Sequence, residues 1–407
     1  MKKVDLYPHE YRGPACLCGS FRAQILDNSQ RLKKTIAAKP LSFEYLRQKY
    51  QLFQPNDITV KRLLLLLGLV VAFGLAWNGL DVIDLKVVGQ PSMTGPIQSE
   101  LEKPFFESIP EKTGIPFKVE YRTIDAIGFK DNRQLALMKD GVFDMVSLRF
   151  LQNSEEEPSI LGVDPPGLNA NYQTARKISA AYAPVLDENL QRRFGVKLLG
   201  IWPFGPQVLF CNQAINQLSD LKGHKVRIGS TILVPLIESI GAIPVVIPFD
   251  EVANALALKI ADCAITSRIS GYSAKWPAHT THVYPIATQM GLNGIAIRLG
   301  IWNNLGATQQ RRLSDAVNTY IANVWSYSEQ LDNQASDCIH GKDNCALGVK
   351  YKLVSSPVAN DDIHFMRNFA LTKSLPTWAE RCDQLSPDCS AQWKKIVEPI
   401  LAQTKQP

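Results

Sequence analysis

The sequence lacks the motifs of the common hydrolase, nucleotide-binding and zinc protease sites. It contains no G-x-S-x-G elbow, no P-loop and no H-E-x-x-H motif. Histidine is scarce, with six residues in 407, and the one close pair, His279 and His282, follows Pro277 in a context that does not favour a metal-binding helix. We therefore expect no catalytic residue, no metal site and no cofactor, and binding without turnover is the simpler function.

A long basic surface is also missing, although the chain carries a formal net charge of +6. Residues 1–62 hold 12 Lys and Arg against 5 Asp and Glu, a balance of +7 that leaves −1 for the remaining 345 residues. A basic flank before an apolar segment is typical of the cytoplasmic side of a membrane. The distribution predicts an exported body of near-neutral charge and no nucleic-acid partner.

An apolar segment follows Lys61 and Arg62 directly. Its fifteen uncharged residues, Leu63–Trp77, would form a helix of about 22 Å, shorter than a hydrocarbon core of ~30 Å. The segment fits a signal peptide cleaved after Ala76, or a signal anchor over residues 63–80 that stays in the inner membrane. The preceding residues 1–60 are then either a cytoplasmic extension or the product of a start site assigned too early. Either way, we expect a periplasmic body at 81–407.

Four of the eight cysteines form two local pairs near the C-terminus. Cys338 and Cys345, and likewise Cys382 and Cys389, lie seven residues apart in polar loops. This spacing predicts two small disulfide loops formed in an oxidising compartment, because common zinc sites have tighter spacing. Cys211 and Cys263 lie in apolar runs and are expected to be buried thiols.

The exported part alternates strand-like and helix-like stretches twice. The first set runs from the strand at 84–89 to the strand at 143–148, and the second from the strand at 225–228 to the strand at 262–266. Such succession predicts an α/β protein with mostly parallel sheets and two lobes around a cleft. We expect lobe I at about 84–206 plus 290–335, lobe II at about 207–289, and C-terminal helices at 336–407. Beyond Trp302 the chain is expected to be mainly helical, notably at 309–334 and 377–403. Ligands of open α/β sheets bind at the carboxyl ends of strands, so the interlobe cleft is the expected site.

A run of motifs at 220–276 carries a resemblance to a known family. In order, the chain has Asp220-Leu-Lys-Gly223, Lys225-Val-Arg227, Gly241-Ala-Ile-Pro244 and Pro248-Phe-Asp-Glu-Val252. This pattern resembles the DctP family of solute-binding proteins from tripartite ATP-independent periplasmic (TRAP) transporters. The resemblance implies a periplasmic-binding-protein-like fold with a hinge, a small organic acid as ligand, and TRAP-type membrane transporter subunits as partners.

The resemblance makes Arg227 the first candidate for ligand binding. In the family, the arginine of this strand forms a salt bridge with the carboxylate of the bound acid. A guanidinium offers two parallel N–H donors that match a carboxylate. Without the motif, Arg227 would be interpreted as a strand-end arginine paired with a neighbouring acid.

Three further candidates have a ligand interpretation and a structural one. Gln207 occupies a position where some family members have a second arginine, and it would make a neutral polar contact or face solvent. Ser230 could bind an anion at the start of helix 231–240 or simply cap that helix. Phe249 matches an aromatic residue that packs on the ligand in the family, or it belongs to the core.

The segment after Asp262 departs from the family pattern. Thr266 stands where the family commonly has an asparagine, and Arg268 is additional. Arg268 would supply a second cation for a dicarboxylate or a sulfonate, or it is a solvated side chain. We therefore expect a solute-binding protein that delivers a carboxylate to a TRAP-type transporter and is not an enzyme. The alternatives are a membrane-tethered sensor or assembly protein on the same fold, and an exported enzyme on an α/β scaffold.

Overall fold

A computed structural model describes residues 82–168 and 171–403 of the chain. The predictions made for residues 1–80, a basic extension followed by a hydrophobic helix, lie outside these ranges. In the described ranges, none of the helices combines the length and the apolar character needed to cross a membrane.

In the part of the chain that the structure describes, ten strands form two five-stranded sheets. In chain order the strands are β1 Ile83–Gly89, β2 Phe117–Thr123, β3 Met145–Arg149, β4 Val196–Pro203, β5 Gln207–Cys211, β6 Lys225–Ile228, β7 Ile243–Val246, β8 Cys263–Ser267, β9 His282–Tyr284 and β10 Leu292–Arg298. The first sheet has the order β2-β1-β3-β10-β4 and the second has the order β7-β6-β8-β5-β9. The expected two-lobed α/β architecture is confirmed.

Each sheet is mixed, which corrects the expectation of mostly parallel sheets. Strands β2, β1 and β3 are parallel, whereas β10 runs antiparallel to both β3 and β4. In the second sheet β7, β6 and β8 are parallel, and β5 is antiparallel to β8 and β9. The reversal occurs because β5 and β10 enter their sheets from the opposite lobe, without the helical crossover that keeps neighbouring strands parallel.

Helices cover the sheets and build the C-terminal part. Their bounds are α1 Lys103–Glu107, α2 Ile109–Thr113, α3 Gln134–Lys139, α4 Phe150–Asn153, α5 Tyr172–Phe194, α6 Val234–Ser239, α7 Val252–Ala257, α8 Arg268–Ser273, α9 Leu299–Asn304, α10 Ala307–Ile339, α11 Asn360–Phe369, α12 Leu375–Leu385 and α13 Cys389–Gln403. The side chain of Asn171 caps α5 by accepting from the Thr174 N–H at 2.9 Å, and Gly195 ends it with φ 63°. A buried stripe at a spacing of four residues, Ile178, Tyr182, Leu186 and Leu190, fixes α5 on the core.

The segment at 377–403 is mainly helical, as expected from the sequence, but it consists of two helices. The structure has α12 and α13 there, separated by Ser386–Asp388. Pro387 cannot continue a helix because it lacks the N–H donor, and Asp388 adopts φ 64°, so the chain turns at this point.

Two crossover segments connect the sheets, and these segments lie next to each other. Residues 204–206 join β4 to β5, and residues 285–291 join β9 to β10. Backbone hydrogen bonds pair them, with the Phe204 N–H donating to the Gly291 carbonyl at 3.0 Å and the Gln207 N–H donating to the Gln289 carbonyl at 2.8 Å. Gly205 has φ 115°, a conformation that side-chain-bearing residues rarely adopt. A short paired ribbon is therefore the hinge between the lobes.

Three disulfides stabilise the described part of the chain. The bonds Cys338–Cys345 and Cys382–Cys389 confirm the two local pairings. The third bond, Cys211–Cys263, shows that the expectation of two buried thiols is wrong. The antiparallel register of β5 and β8 places these two residues directly opposite each other, with 4.1 Å between their Cα atoms.

Candidate ligand-binding site

A cavity of about 510 Å³ lies between the two sheets. Its walls come from the carboxyl ends of the parallel strands in both sheets: the loops after β1 and β2 and the end of β3 on one side, and the loops after β6 and β7 on the other. Strand ends converge there because parallel strands terminate at the same edge of a sheet. The volume is that of a small-molecule site.

Arg227 lines this cavity from an inner strand of the second sheet. It lies in β6, beside Val245 of β7 and Ala264 of β8. Only 5% of the residue is exposed. Its Nε donates to the Ile247 carbonyl at 2.9 Å and its NH1 group donates to the Ile265 carbonyl at 3.2 Å, so the backbone of two neighbouring segments fixes the guanidinium.

Arg227 has no acidic partner. Among the residues that the structure describes, none supplies a carboxylate oxygen within 4.0 Å of this guanidinium. Burial first, and then the nearby charge of Arg149, lowers the pKa of Arg227 to about 9. The charges of Asp131 and Asp250 oppose this lowering without contacting the guanidinium, and an anionic ligand in direct contact would offset the cost of burying the cation.

Two aromatic rings enclose the guanidinium. The Arg227 Cζ atom lies 6.0 Å from the ring centroid of Phe249 and 5.6 Å from that of Trp276. The two rings pack on each other at 5.4 Å. The rings exclude water from one side of the guanidinium and add cation–π attraction, which leaves the cavity as the direction from which an anion can approach.

Of the other predicted residues, Ser230 and Phe249 lie in the cavity wall. The Ser230 hydroxyl accepts from the Ile232 N–H at 3.4 Å and therefore caps the turn that precedes α6. Its own O–H remains free to donate into the cavity. Phe249 is 9% exposed and belongs both to the wall and to the core. Their contact with a ligand stays a prediction.

The remaining three predicted residues do not line this cavity. Gln207 lies at the hinge, where its Nε2 donates to the Gly205 carbonyl at 2.8 Å. Thr266 is 6% exposed in β8. Arg268 forms an ion pair with Asp332, whose carboxyl pKa is raised by burial although Arg268 opposes the rise. Arg268 is thus neither a solvated side chain nor a free cation.

Arg149 is a cavity residue that the sequence reasoning missed. It ends β3, is 9% exposed, and forms an ion pair with Asp131 in which NH1 lies 2.9 Å from the carboxylate. The available signal was its position directly after the predicted strand 143–148, at the edge of the sheet where ligands bind. The cavity wall therefore contains two buried guanidinium groups, of which Arg149 is paired and Arg227 is not.

The cavity wall also contains acidic side chains held by hydroxyl groups. Asp125 accepts from the Ser92 hydroxyl at 2.6 Å, and these two residues follow β2 and β1 of the first sheet. Glu155 accepts from the Thr231 hydroxyl, which comes from the opposite half. The described part of the chain contains no cluster of three or more His, Cys, Asp or Glu residues that could hold a metal ion.

Comparison with known proteins identifies the family. The family model for bacterial extracellular solute-binding protein, family 7 (DctP), matches residues 90–348. A solute-binding protein of Sulfitobacter sp. (strain NAS-14.1) is 28% identical over 155 residues, which are 37% of this chain and 47% of the relative. The chain thus spans about half the length of that relative.

Solved structures of similar fold include DctP7 of Bordetella pertussis, an extracytoplasmic solute receptor that binds pyroglutamic acid. It has a TM-score of 0.67 and 16% identity, and the match covers 77% of this chain and 99% of that one. A TRAP periplasmic solute-binding protein of Rhodoferax ferrireducens with bound malonate has a TM-score of 0.67 and 17% identity, covering 79% and 100%. A third, from Shewanella oneidensis with bound succinate, has a TM-score of 0.63 and 20% identity, covering 78% and 100%. These likenesses establish the fold, and with the match over 90–348 they show that the chain belongs to family 7 of the bacterial extracellular solute-binding proteins.

Proposed function

We propose that this protein captures a small carboxylate-bearing solute in the cavity between its two sheets and delivers it to a TRAP-type membrane transporter. The observation that carries the proposal is Arg227, a buried guanidinium that lines the cavity and has no acidic partner. A ligand carboxylate would pair with it bidentately. Malonate, succinate and pyroglutamate in proteins of the same fold support a small organic acid.

Capture would proceed without chemical change. The cavity wall offers an anion anchor, hydroxyl donors and aromatic surface, which are groups that hold a ligand non-covalently. Closure of the lobes about the hinge would enclose the ligand, and the closed form would be the one recognised by the transporter subunits. A bound acid should be recovered unchanged after prolonged incubation.

The proposal places the binding domain outside the cytoplasmic membrane. Residues 63–80 would act either as a signal peptide cleaved near Ala76 or as an uncleaved anchor. Mass spectrometry of the mature N-terminus in cells distinguishes these two forms, since cleavage predicts a start at Trp77.

The decisive test is a thermal-shift screen of the purified full chain against mono- and dicarboxylates, sugar acids, amino acids and sulfonates. A true ligand at a hundredfold excess over its dissociation constant stabilises the protein by about 2.7 kcal/mol. Arg227→Gln is expected to weaken binding about 30-fold or more, because loss of one partner of a buried ion pair costs about 2–5 kcal/mol.

The matched control is Arg122→Gln. Arg122 is an exposed arginine of β2 that pairs with Glu120 and does not line the cavity. It should leave the ligand-induced shift intact. Hits that survive Arg227→Gln with unchanged affinity, or a screen in which no anionic compound shifts the melting of a well-folded protein, would contradict the proposal.

A further inference from the structure

The second guanidinium of the cavity, Arg149, is held in place from three directions. Its backbone N–H donates to Gln134 Oε1 at 2.9 Å, and its carbonyl accepts from Asn153 Nδ2 at 2.9 Å. Its NH1 group lies 2.9 Å from the Asp131 carboxylate, a side chain from the loop after β2. The ion pair is therefore formed by the end of β3 and the loop after β2, without contribution from a ligand.

The two guanidinium groups of the cavity therefore differ in what they can offer a ligand. Arg227 is a buried cation with no carboxylate in ion-pair contact, although Asp131 and Asp250 lie near enough to act on its charge, whereas Arg149 is paired directly with Asp131. The whole wall carries three cationic side chains, Lys130, Arg149 and Arg227, and four acidic ones, Asp125, Asp131, Glu155 and Asp250. One ligand anion satisfies Arg227, but a second would enter a wall that has no remaining excess of positive charge.

A second ligand carboxylate beside Arg149 would meet Asp131 on the same guanidinium. Two carboxylates at one cation repel each other, and the repulsion is strong in a partly buried site. A neutral amide or hydroxyl at this place has no such penalty. It can accept from the N–H groups that Arg149 does not use for Asp131, and it can donate to the Asp131 carboxylate.

We propose that the Arg149–Asp131 pair is a specificity determinant that selects ligands with one anionic group and a neutral polar group at the other end over the dianion of the same shape. The inference rests on the proposed function, since it assumes that the carboxylate of the ligand binds Arg227. It assigns Asp131 the role of excluding a second charge and Arg149 the role of holding both Asp131 and the neutral end of the ligand.

The test compares each diacid with its half-amide, which has nearly the same shape and one charge fewer. Isothermal titration of the full chain at pH 7.5 with malonate and malonamate, succinate and succinamate, and glutarate and glutaramate should show about tenfold or tighter binding of the half-amide in at least one pair. Asp131→Asn leaves Arg149 without its acidic partner. The ratio of half-amide to diacid affinity should then shift toward the diacid by about tenfold or more.

Two further variants separate a specific effect from a change of overall charge. Asp84→Asn removes one acidic charge outside the cavity, where Asp84 is exposed and pairs with Lys118, so the ratio of half-amide to diacid affinity should stay within about twofold of the wild type. In the double variant Asp131→Asn with Arg149→Gln, both members of the pair are neutral. The preference gained in Asp131→Asn should then disappear, because the diacid has lost its second cation.

The outcomes distinguish this inference from the function on which it rests. Equal binding of diacid and half-amide by the wild type, with a ratio that Asp131→Asn does not move, would overturn the inference, and loss of binding in Arg227→Gln would still uphold the function. Failure of all six compounds to bind a protein that unfolds cooperatively would overturn the inference together with the choice of a small carboxylate as ligand.

Discussion

Glu102 is a fully buried carboxyl group at the edge of the first sheet. The Gln90 N–H and the Tyr121 hydroxyl both donate to its Oε1, at 2.7 and 2.9 Å. Its Oε2 is buried and has no hydrogen-bond partner among the described residues. Burial is the main cause that raises the pKa of Glu102 from 4.5 to about 7. A protonated carboxyl therefore fits this site better than a carboxylate.

The raised pKa predicts that stability depends on pH through this residue. Between pH 4.5 and about 7 the unfolded chain releases the proton while the folded protein keeps it, so the contribution is complete below pH 4.5 and is lost as pH rises through about 7. The loss amounts to about 3 kcal/mol at pH 8. Glu102→Gln keeps the accepting oxygen and cannot ionise, so it should be more stable than the wild type by about this amount at pH 8 but not at pH 5.

Urea unfolding at several pH values measures the effect, with Glu111→Gln as the control because Glu111 is exposed. Parallel pH profiles for the wild type and Glu102→Gln would show that the carboxyl titrates normally in the folded protein.

At the scale of elements, the bond Cys211–Cys263 joins two adjacent strands of the second sheet. It closes a chain segment with a sequence separation of 52, whereas each C-terminal disulfide has a separation of 7. The entropy removed from the unfolded chain grows with the length of the closed loop. The longer loop contains β6, which carries Arg227, and β7, and it ends at the first residue of β8.

Replacing both cysteines of a bond by alanine should therefore lower the free energy of unfolding more for the long loop than for a short one. The chain-entropy relation gives a loss of about 4 kcal/mol for the Cys211/Cys263 pair and about 2.5 kcal/mol for the Cys338/Cys345 pair. Denaturant midpoints under oxidising conditions measure the difference, and the Cys338/Cys345 variant is the control for removal of a bond far from β5 and β8. Equal losses for both variants would refute the loop-length argument.

Secondary structure was predictable from the sequence where it follows from a local pattern of neighbouring residues. The strands that begin each α/β set and the long helix α10 follow directly from periodicity, and the local cysteine pairs follow from their spacing. The reversed direction of β5 and β10 was not predictable in this way. Strand direction within a sheet depends on which lobe the chain comes from, and no periodicity of the strand itself records that.

At the scale of the whole molecule, two hydrogen bonds close the cavity from opposite lobes. The Thr231 hydroxyl donates to Glu155, and the Ser270 hydroxyl donates to the Thr94 carbonyl at 3.3 Å. Thr94 and Glu155 follow β1 and β3 of the first sheet, whereas Thr231 and Ser270 follow β6 and β8 of the second. These bonds exist only when the lobes are close together, so they favour the closed form in which a ligand is enclosed.

Thr231→Val should consequently weaken ligand binding without touching the anion anchor. Loss of one hydroxyl–carboxylate bond at an exposed site is worth about 1 kcal/mol, which corresponds to about fivefold in affinity. Because the bond forms only after closure, we expect the weaker affinity to arise from faster ligand dissociation. Stopped-flow measurement of the dissociation rate tests this.

The matched control is Ser92→Ala. It removes a hydroxyl–carboxylate bond of the same kind, to Asp125, but within one lobe. It should leave the dissociation rate close to that of the wild type. Equal effects of both variants would mean that the Thr231–Glu155 bond has no special role in closure.

The sequence by itself determined the family, the α/β class, the two local disulfides and the strand that carries Arg227, because each of these is recorded in contiguous residues as a motif, a period or a spacing. Only the tertiary structure decided that Arg227 has no acid beside it, that Asp131 neutralises Arg149, that Asp332 binds Arg268, and that Cys211 meets Cys263. These facts join segments that lie 18 to 64 residues apart. Their partners are selected by sheet register, loop path and lobe packing, which no single stretch of sequence contains.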